Sequence, residues 1–421
     1  MFKKIDQLRR VVITGFGCVT PIGIGAAAFR EGLISGASGV SRIEGFDVSK
    51  SAVKIAAEIK DFDADAEIPE RDRRHLPRTV PLALAGAREA LEDAKIRTEN
   101  LTLEDRREFG VVIGTGGGGL GFTEKQYEAW YLDNGKRASV YTIPSSTHGS
   151  LSSELSMKFG LHGLSHVVST GCTSSTDAIG YAAQNISLGK ADRILAGGTD
   201  APIARGIFEG FKLMTVLTRE WNDQPERASR PFSMDRSGIV LGEGAWIFIL
   251  ESLESAKERG AKIYAEIRGY GSTCDAYHRV RLDESGVEPA RAMTLAMGDA
   301  GVRAEEIDYV NLHGTSTEIN DRIETKAVKI ALGDHAYRIA ASATKSQIGH
   351  PQGASGAAGI AAALLALNEG IVSPTINLDV PDEECDLDYT PNKAVEKEVR
   401  YALANCIGFG SKNSAIVLGK V

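Results

Sequence analysis

Apolar residues along this chain fall into short β-branched or aliphatic runs separated by Ala-rich stretches. Val11-Val12-Ile13 leads into Gly15 and Gly17, and a helix-like stretch over Ala26–Ile34 follows. Comparable runs sit at Val111–Ile113, His166–Ser169, Ile194–Ala196, Ala245–Leu250, Ile263–Ile267, Tyr309–Leu312, Ile339–Ser342 and Ala415–Leu418. Runs this short, bounded by glycine and alternating with helical stretches, predict buried strands of a mainly parallel or mixed sheet. The charged stretch Glu251–Lys262 is the best seam and predicts a connecting helix. On either side of it the pattern echoes faintly. Gly171-Cys172 opens an Ala-rich helix ending near Gly189, and Gly353-Ala354 opens one of similar length ending near Gly370. The echo points to two similar halves.

Composition narrows the class. The chain has 421 residues, 43% of them hydrophobic, enough for two or three structural units or one large α/β body. A net charge of −8 argues against nucleic acid as the main partner, because phosphate binding needs a basic field. No window resembles an apolar membrane span, and Met1–Asp6 lacks the apolar core of a leader. The five cysteines (Cys18, Cys172, Cys274, Cys385, Cys406) are odd in number and free of C-x-x-C spacing. They fit a reducing, cytoplasmic setting better than a disulfide scaffold or a zinc site.

Three segments carry candidate chemistry. In Val167-Val168-Ser169-Thr170-Gly171-Cys172-Thr173 a strand runs through glycine into a cysteine where a helix begins. A helix N-terminus favours thiolate, and such a turn aims an amide N–H at a developing oxyanion. The plainer reading is a buried structural cysteine. His313 ends a strand in Asn311-Leu312-His313-Gly314-Thr315-Ser316-Thr317, and Lys345 and His350 lie in Ala343–His350, just before the second helix. A lone histidine is more often structural, and a lone lysine is usually a solvated charge. Two histidines and a lysine in glycine-rich loops, beside a Gly-Cys elbow, point together to catalysis.

Taken with Arg230–Ala245 (RPFSMDRSGIVLGEGA) and the C-terminal Gly408-Phe409-Gly410, these motifs resemble the elongating β-ketoacyl synthases over nearly the whole chain. The resemblance implies a thiolase-like, five-layered αβαβα fold of two similar halves, residues 1–256 and 257–421. It implies that Cys172 is the acyl-accepting nucleophile and that His313 and His350 are the catalytic histidines. Lys345 would be the active-site lysine, with Glu324 its charge partner, and Phe409 the gate on the malonyl side. The amides of Cys172 and Phe409 would hold the oxyanion, and Thr315 and Thr317 would bind the pantetheine arm. No cofactor or metal is expected on the enzyme; the phosphopantetheine arm belongs to an acyl carrier protein, the implied partner. Arg73 and Arg74, in the basic island Arg71–Arg78, are the expected carrier-docking residues. A dimer is expected, either of identical chains or with a chain-length-factor-like homologue.

The pathway stays open between fatty-acid and type II polyketide elongation. STGCTSSTD, Thr199–Ile203 and Pro225–Ser229 lean towards the polyketide subunit, and HGTST towards the fatty-acid enzyme. Departures from the family pattern fall at His75–Val80, at Ser411-Lys412-Asn413 after Phe409, and at Gln347-Ile348. Gly114–Gly119 invites a dinucleotide reading, but no acidic residue follows at the required offset. A chain-length factor would lack the cysteine, a thiolase or starter enzyme would carry a different catalytic set, and a thioesterase would release its acyl group to water.

Overall fold

The computed structural model describes residues 8–421, so the reading of Met1–Asp6 lies outside the described residues. Ten strands form the main sheet: β1 Val11–Thr20, β2 Phe109–Gly114, β3 Ser165–Val168, β4 Arg193–Asp200, β5 Gly244–Ser252, β6 Ala265–Cys274, β7 Tyr309–Asn311, β8 Ala340–Ser342, β9 Tyr401–Gly408 and β10 Lys412–Gly419. Their spatial order is β3-β2-β4-β5-β1-β6-β10-β9-β7-β8, with a two-residue strand at Gly23–Ile24 beside β1. Each strand of the first five thus has a twin five places later in the chain, and the order mirrors itself about the β1–β6 contact. That contact is short and antiparallel, pairing Val11 with Ile267 and Ile13 with Ala265.

Eight of the helices accompany this sheet, with two pairs of them repeated across the halves. They are α1 Ala26–Ser35, α2 Thr79–Asp93, α3 Leu120–Leu132, α4 Ser150–Phe159, α5 Ser174–Ser187, α6 Val287–Ala300, α7 Glu318–Leu332 and α8 Ser355–Glu369. α2 covers β1 and β5 on one outer face, and α6 covers β6 and β10 on the other. Between the two half-sheets lie α5 and α8, each touching strands of both halves. This is the αβαβα layering.

Position in the middle layer explains composition. α8 is buried continuously from Ser355 to Leu367, and a helix enclosed on all sides is apolar on all sides. Small residues let it approach α5 closely: a Cβ on Gly356 would lie 1.9 Å from Thr176 Oγ1.

Two local expectations change. The seam at Glu251–Lys262 is only partly helical, because β5 runs on to Ser252 and the helix covers Leu253–Glu258. Glu251 is a fully buried strand residue that pairs with Arg259 and Arg193 and accepts from Thr14 Oγ1. β9 was not anticipated. Its Ala, Leu, Asn and Cys are poor strand formers, and burial of all but Tyr401 erases the alternation a pattern reading needs.

Candidate active site

Cys172 sits where β3 gives way to α5. Gly171 takes a left-handed φ of 72°, which a side chain would strain, and a short 3-10 turn over Gly171–Thr173 follows. The elbow is locked by its own hydroxyls: Thr170 N donates to Ser174 Oγ (2.9 Å), which donates to Gly171 O (2.6 Å). Thr170 and Thr173 both donate to Asp177 Oδ2. The sulfur faces the amides of Phe409 and of Cys172 itself. The pull of the helix start towards thiolate, through the Cys172 amide, is outweighed. Burial pushes the Cys172 thiol above its ordinary value, and the pull of the Phe409 amide and Lys345 does not offset it.

The histidines arrive from the other half. His313 follows β7 and His350 precedes α8, and their ring planes meet at 86° with centroids 5.3 Å apart. One nitrogen of each ring and Cys172 Sγ all lie within 4.8 Å of one another. Both imidazoles are held well below their ordinary pKa, first by burial and then by the charge of Lys345. Both are therefore neutral. His350 Nδ1 accepts from Gln352 N (3.0 Å) and Ser355 Oγ (3.2 Å), which leaves its proton on Nε2 as an inward-facing donor. His313 Nδ1 lies 3.4 Å from Cys406 Sγ.

Lys345 is buried, and burial lowers its pKa against the opposing pull of Cys406, Glu324 and Cys172. Its expected pairing with Glu324 is not a direct contact, for no carboxylate among the described residues lies within ion-pair reach of Lys345. Glu324 instead accepts from His313 N (2.6 Å), Gly314 N (2.7 Å) and Asn405 Nδ2 (2.7 Å). It holds the histidine loop and acts on Lys345 through space. Three donors do not fully offset burial, which pushes its carboxyl up to about 7.

The glycine-rich turn after β2 is filled by an internal anion. Gly116 N (2.7 Å), Gly117 N (3.0 Å) and Gly353 N (2.9 Å) all donate to the buried Asp200 carboxylate. The amides that a nucleotide phosphate would need are already used. Asp200 thereby ties the turn before α8 to the first half, beside Cys172.

Cys172, His313, His350 and Phe409 line a cavity of about 560 Å3, and Thr315 and Thr317 line it further out. The two threonine hydroxyls share a 2.9 Å hydrogen bond, and Thr317 Oγ1 caps α7. Arg73 and Arg74 do not reach this cavity. Arg73 pairs with Asp65 (3.2 Å) and Arg74 donates to His75 Nε2 (3.2 Å). A Cys-His-His donor set also has the makings of a zinc site. Here the nearby Lys345 charge, which adds to burial in depressing both histidines, opposes a second cation.

Three contributors escaped the sequence reading: Asn405, Cys406 and Asp200. The first two lie on the unanticipated β9, and the third is a buried carboxylate whose partners are backbone amides distant in sequence. No local motif announces either.

Comparison with known proteins identifies the family. The family model "Beta-ketoacyl synthase, N-terminal domain" matches residues 8–256, and "Beta-ketoacyl synthase, C-terminal domain" matches residues 264–379. A protein of Synechocystis named 3-oxoacyl-[acyl-carrier-protein] synthase 2 is 42% identical, covering 98% of this chain and 99% of its own. A putative polyketide beta-ketoacyl synthase 1 of Streptomyces halstedii is 43% identical, covering 97% and 98%. Among solved structures, the ishigamide ketosynthase/chain length factor superposes with a TM-score of 0.90 at 35% identity, over 98% of this chain and all of its own. A type II ketosynthase solved with its acyl carrier protein and bound to a hexaketide gives 0.88 at 33%, over 99% of this chain and all of its own. The chain belongs to the β-ketoacyl synthase family.

Proposed function

We propose that this chain is an elongating β-ketoacyl-acyl carrier protein synthase. The observation that carries the reading is the meeting of Cys172 Sγ with two neutral imidazoles at the closed end of a single cavity. An acyl thioester entering there transfers its acyl group to Cys172 Sγ, and the thiol proton leaves with the pantetheine sulfur. The amides of Cys172 and Phe409, which face the sulfur, receive the oxyanion. Malonyl thioester then binds with its thioester oxygen against His350 Nε2–H. His313 supplies a second donor in the tautomer that carries its proton on Nε2. Loss of carbon dioxide leaves an enolate held by these two donors, and its carbon attacks the acyl-Cys172 carbonyl. The new carbon–carbon bond forms as the C–S bond breaks, and the departing thiolate takes from water the one proton that decarboxylation consumes. Burial, together with Lys345, keeps the imidazoles neutral, as the step requires.

On this reading residues 1–256 supply the nucleophile and residues 257–421 the histidines, lysine and gate. The enzyme needs no resident cofactor, and the pantetheine arm passes Thr315 and Thr317. Arg73 and Arg74 remain the docking candidates within the basic island, tested by charge reversal and the KM for carrier protein. A second chain of the same fold pairs across β3, an open sheet edge; the same half of the chain also exposes Tyr127, Trp130 and Tyr131 on α3. Sedimentation of the chain alone, and with a chain-length-factor homologue, separates homodimer from heterodimer.

The deciding experiment is intact-mass spectrometry with acyl- and malonyl-carrier protein, beside Cys172→Ala. Uptake of one acyl group that the variant lacks, with a lengthened β-keto product, supports the reading. Acyl uptake followed only by hydrolysis would replace it with a thioesterase.

A further inference from the structure

The cavity has a direction. At its closed end Cys172, His313 and His350 are buried, whereas Thr215, His278, Arg281 and Ile319 on its wall are exposed and mark the mouth. Charge at that mouth is unevenly compensated. Arg236 on the cavity wall is locked between Asp382 (2.8 Å) and Asp321 (3.4 Å), and Glu318 is paired with Arg322 (3.2 Å). Arg281 has no carboxylate within ion-pair reach among the described residues.

The loop that carries Arg281 is held in place. His278 Nδ1 accepts from both Val280 N and Arg281 N at 3.0 Å, which folds the loop back on itself. Asn413 Nδ2 donates to Asp275 Oδ1 (2.6 Å), Asp275 N donates to Ser411 O (2.8 Å), and Ser411 Oγ donates to His278 O (3.0 Å). Ser411 and Asn413 belong to the turn and strand directly after Phe409. The loop that bears the Arg281 guanidinium is thus pinned to the same segment that carries the gate.

A guanidinium fork matches phosphate oxygens in geometry and in charge, and here it stands at the mouth of a cleft in an otherwise acidic chain. We propose that Arg281 anchors the phosphodiester of the incoming phosphopantetheine arm while the arm's thioester end reaches Cys172. This rests on the ketosynthase reading and deepens it. Arg281 is a binding residue for the arm and takes no part in bond making. Its role is to let the enzyme tell a phosphorylated pantetheine thioester from a bare one.

The test compares two small donors carrying the same acyl group, acyl-pantetheine and acyl-4′-phosphopantetheine. The kcat/KM for acylation of Cys172 is followed by intact mass. Wild type prefers the phosphorylated donor by about tenfold or more, the scale of one charge-assisted contact. Arg281→Ala and Arg281→Gln bring that preference near unity, Arg281→Lys keeps part of it, and added salt erodes it in wild type. With acyl-carrier protein the same variants raise KM. An unchanged preference in Arg281→Ala and Arg281→Gln overturns the proposal and leaves the ketosynthase reading standing. If neither donor acylates wild-type Cys172, it is the ketosynthase reading that falls.

Discussion

The imidazoles of His313 and His350 meet edge to face, with centroids 5.3 Å apart and ring planes at 86°, each contributed by a loop of the second half of the chain. Like-charged rings at that distance could not both be protonated, and burial together with Lys345 keeps both neutral. Release of carbon dioxide from malonyl thioester should therefore hold its rate as pH falls from 8 to 6, because both rings titrate well below 6.5. Stability follows the same groups. What the neutral pair contributes is present above pH 6.5 and is lost as the pH falls through the folded values. Replacing either histidine by alanine should slow decarboxylation by about 100-fold to 1000-fold, the cost of one oxyanion donor. A rate that falls steeply between pH 7 and 6 would contradict the neutral assignment.

Glu324 gives a slope of opposite sign. Its carboxyl is pushed from 4.5 up to about 7 by burial, so across that window the folded state holds a proton the unfolded chain has released. Wild-type stability should fall as pH rises through the window, and Glu324→Gln should lack that component. The amide also turns an N–H towards donors that now meet carboxylate oxygens, at a cost of about 1–3 kcal/mol. Urea unfolding of both proteins at pH 5 and pH 7 reads the two effects separately.

Asp200 is the link between the turn before α8 and the glycine-rich turn after β2. Asp200→Ala leaves the amides of Gly116, Gly117 and Gly353 without their acceptor. The expected loss is about 3 kcal/mol, with slower acylation of Cys172 because the neighbouring turn loosens. Asp200→Asn keeps one oxygen and should lose less. Equal unfolding midpoints for Asp200→Ala and wild type would show the amides finding other partners.

Ser411 stands in a left-handed conformation with φ of 66°, an uncommon position for a residue with a side chain. Its hydroxyl accepts from Tyr277 N (3.4 Å) and His278 N (3.3 Å) and donates to His278 O (3.0 Å). Ser411→Gly relieves the backbone strain but removes this staple. Hydrogen exchange should then accelerate at residues 277–281 while the rest of the chain is unchanged. Equal exchange in the two proteins would mean that the backbone contact from Asp275 holds the loop by itself.

Much of the architecture was legible along the chain. Nine apolar runs each overlap a strand of the main sheet, and the twin helices opening at Gly171 and Gly353 are α5 and α8. Strands and helices announce themselves locally, because propensity and glycine punctuation act over a few residues. Cys172, His313, Lys345 and His350 were legible for the same reason, each lying in a short motif at the end of an element. β9 was not, since a strand buried along almost its whole length and rich in alanine carries no period to read.

What the sequence by itself determined, then, is which residue types stand at the ends of which elements. The tertiary structure decided their state. Burial raises the Cys172 thiol although a helix begins beside it, and burial, with the charge of Lys345 added, holds two histidines neutral. Glu324 is drawn to backbone amides and away from its expected partner, and Arg281 at the cavity mouth meets no carboxylate among the described residues. Desolvation and charge depend on what surrounds a group in three dimensions. Most of those neighbours come from segments far apart in the chain, and so no local reading of the sequence supplies them.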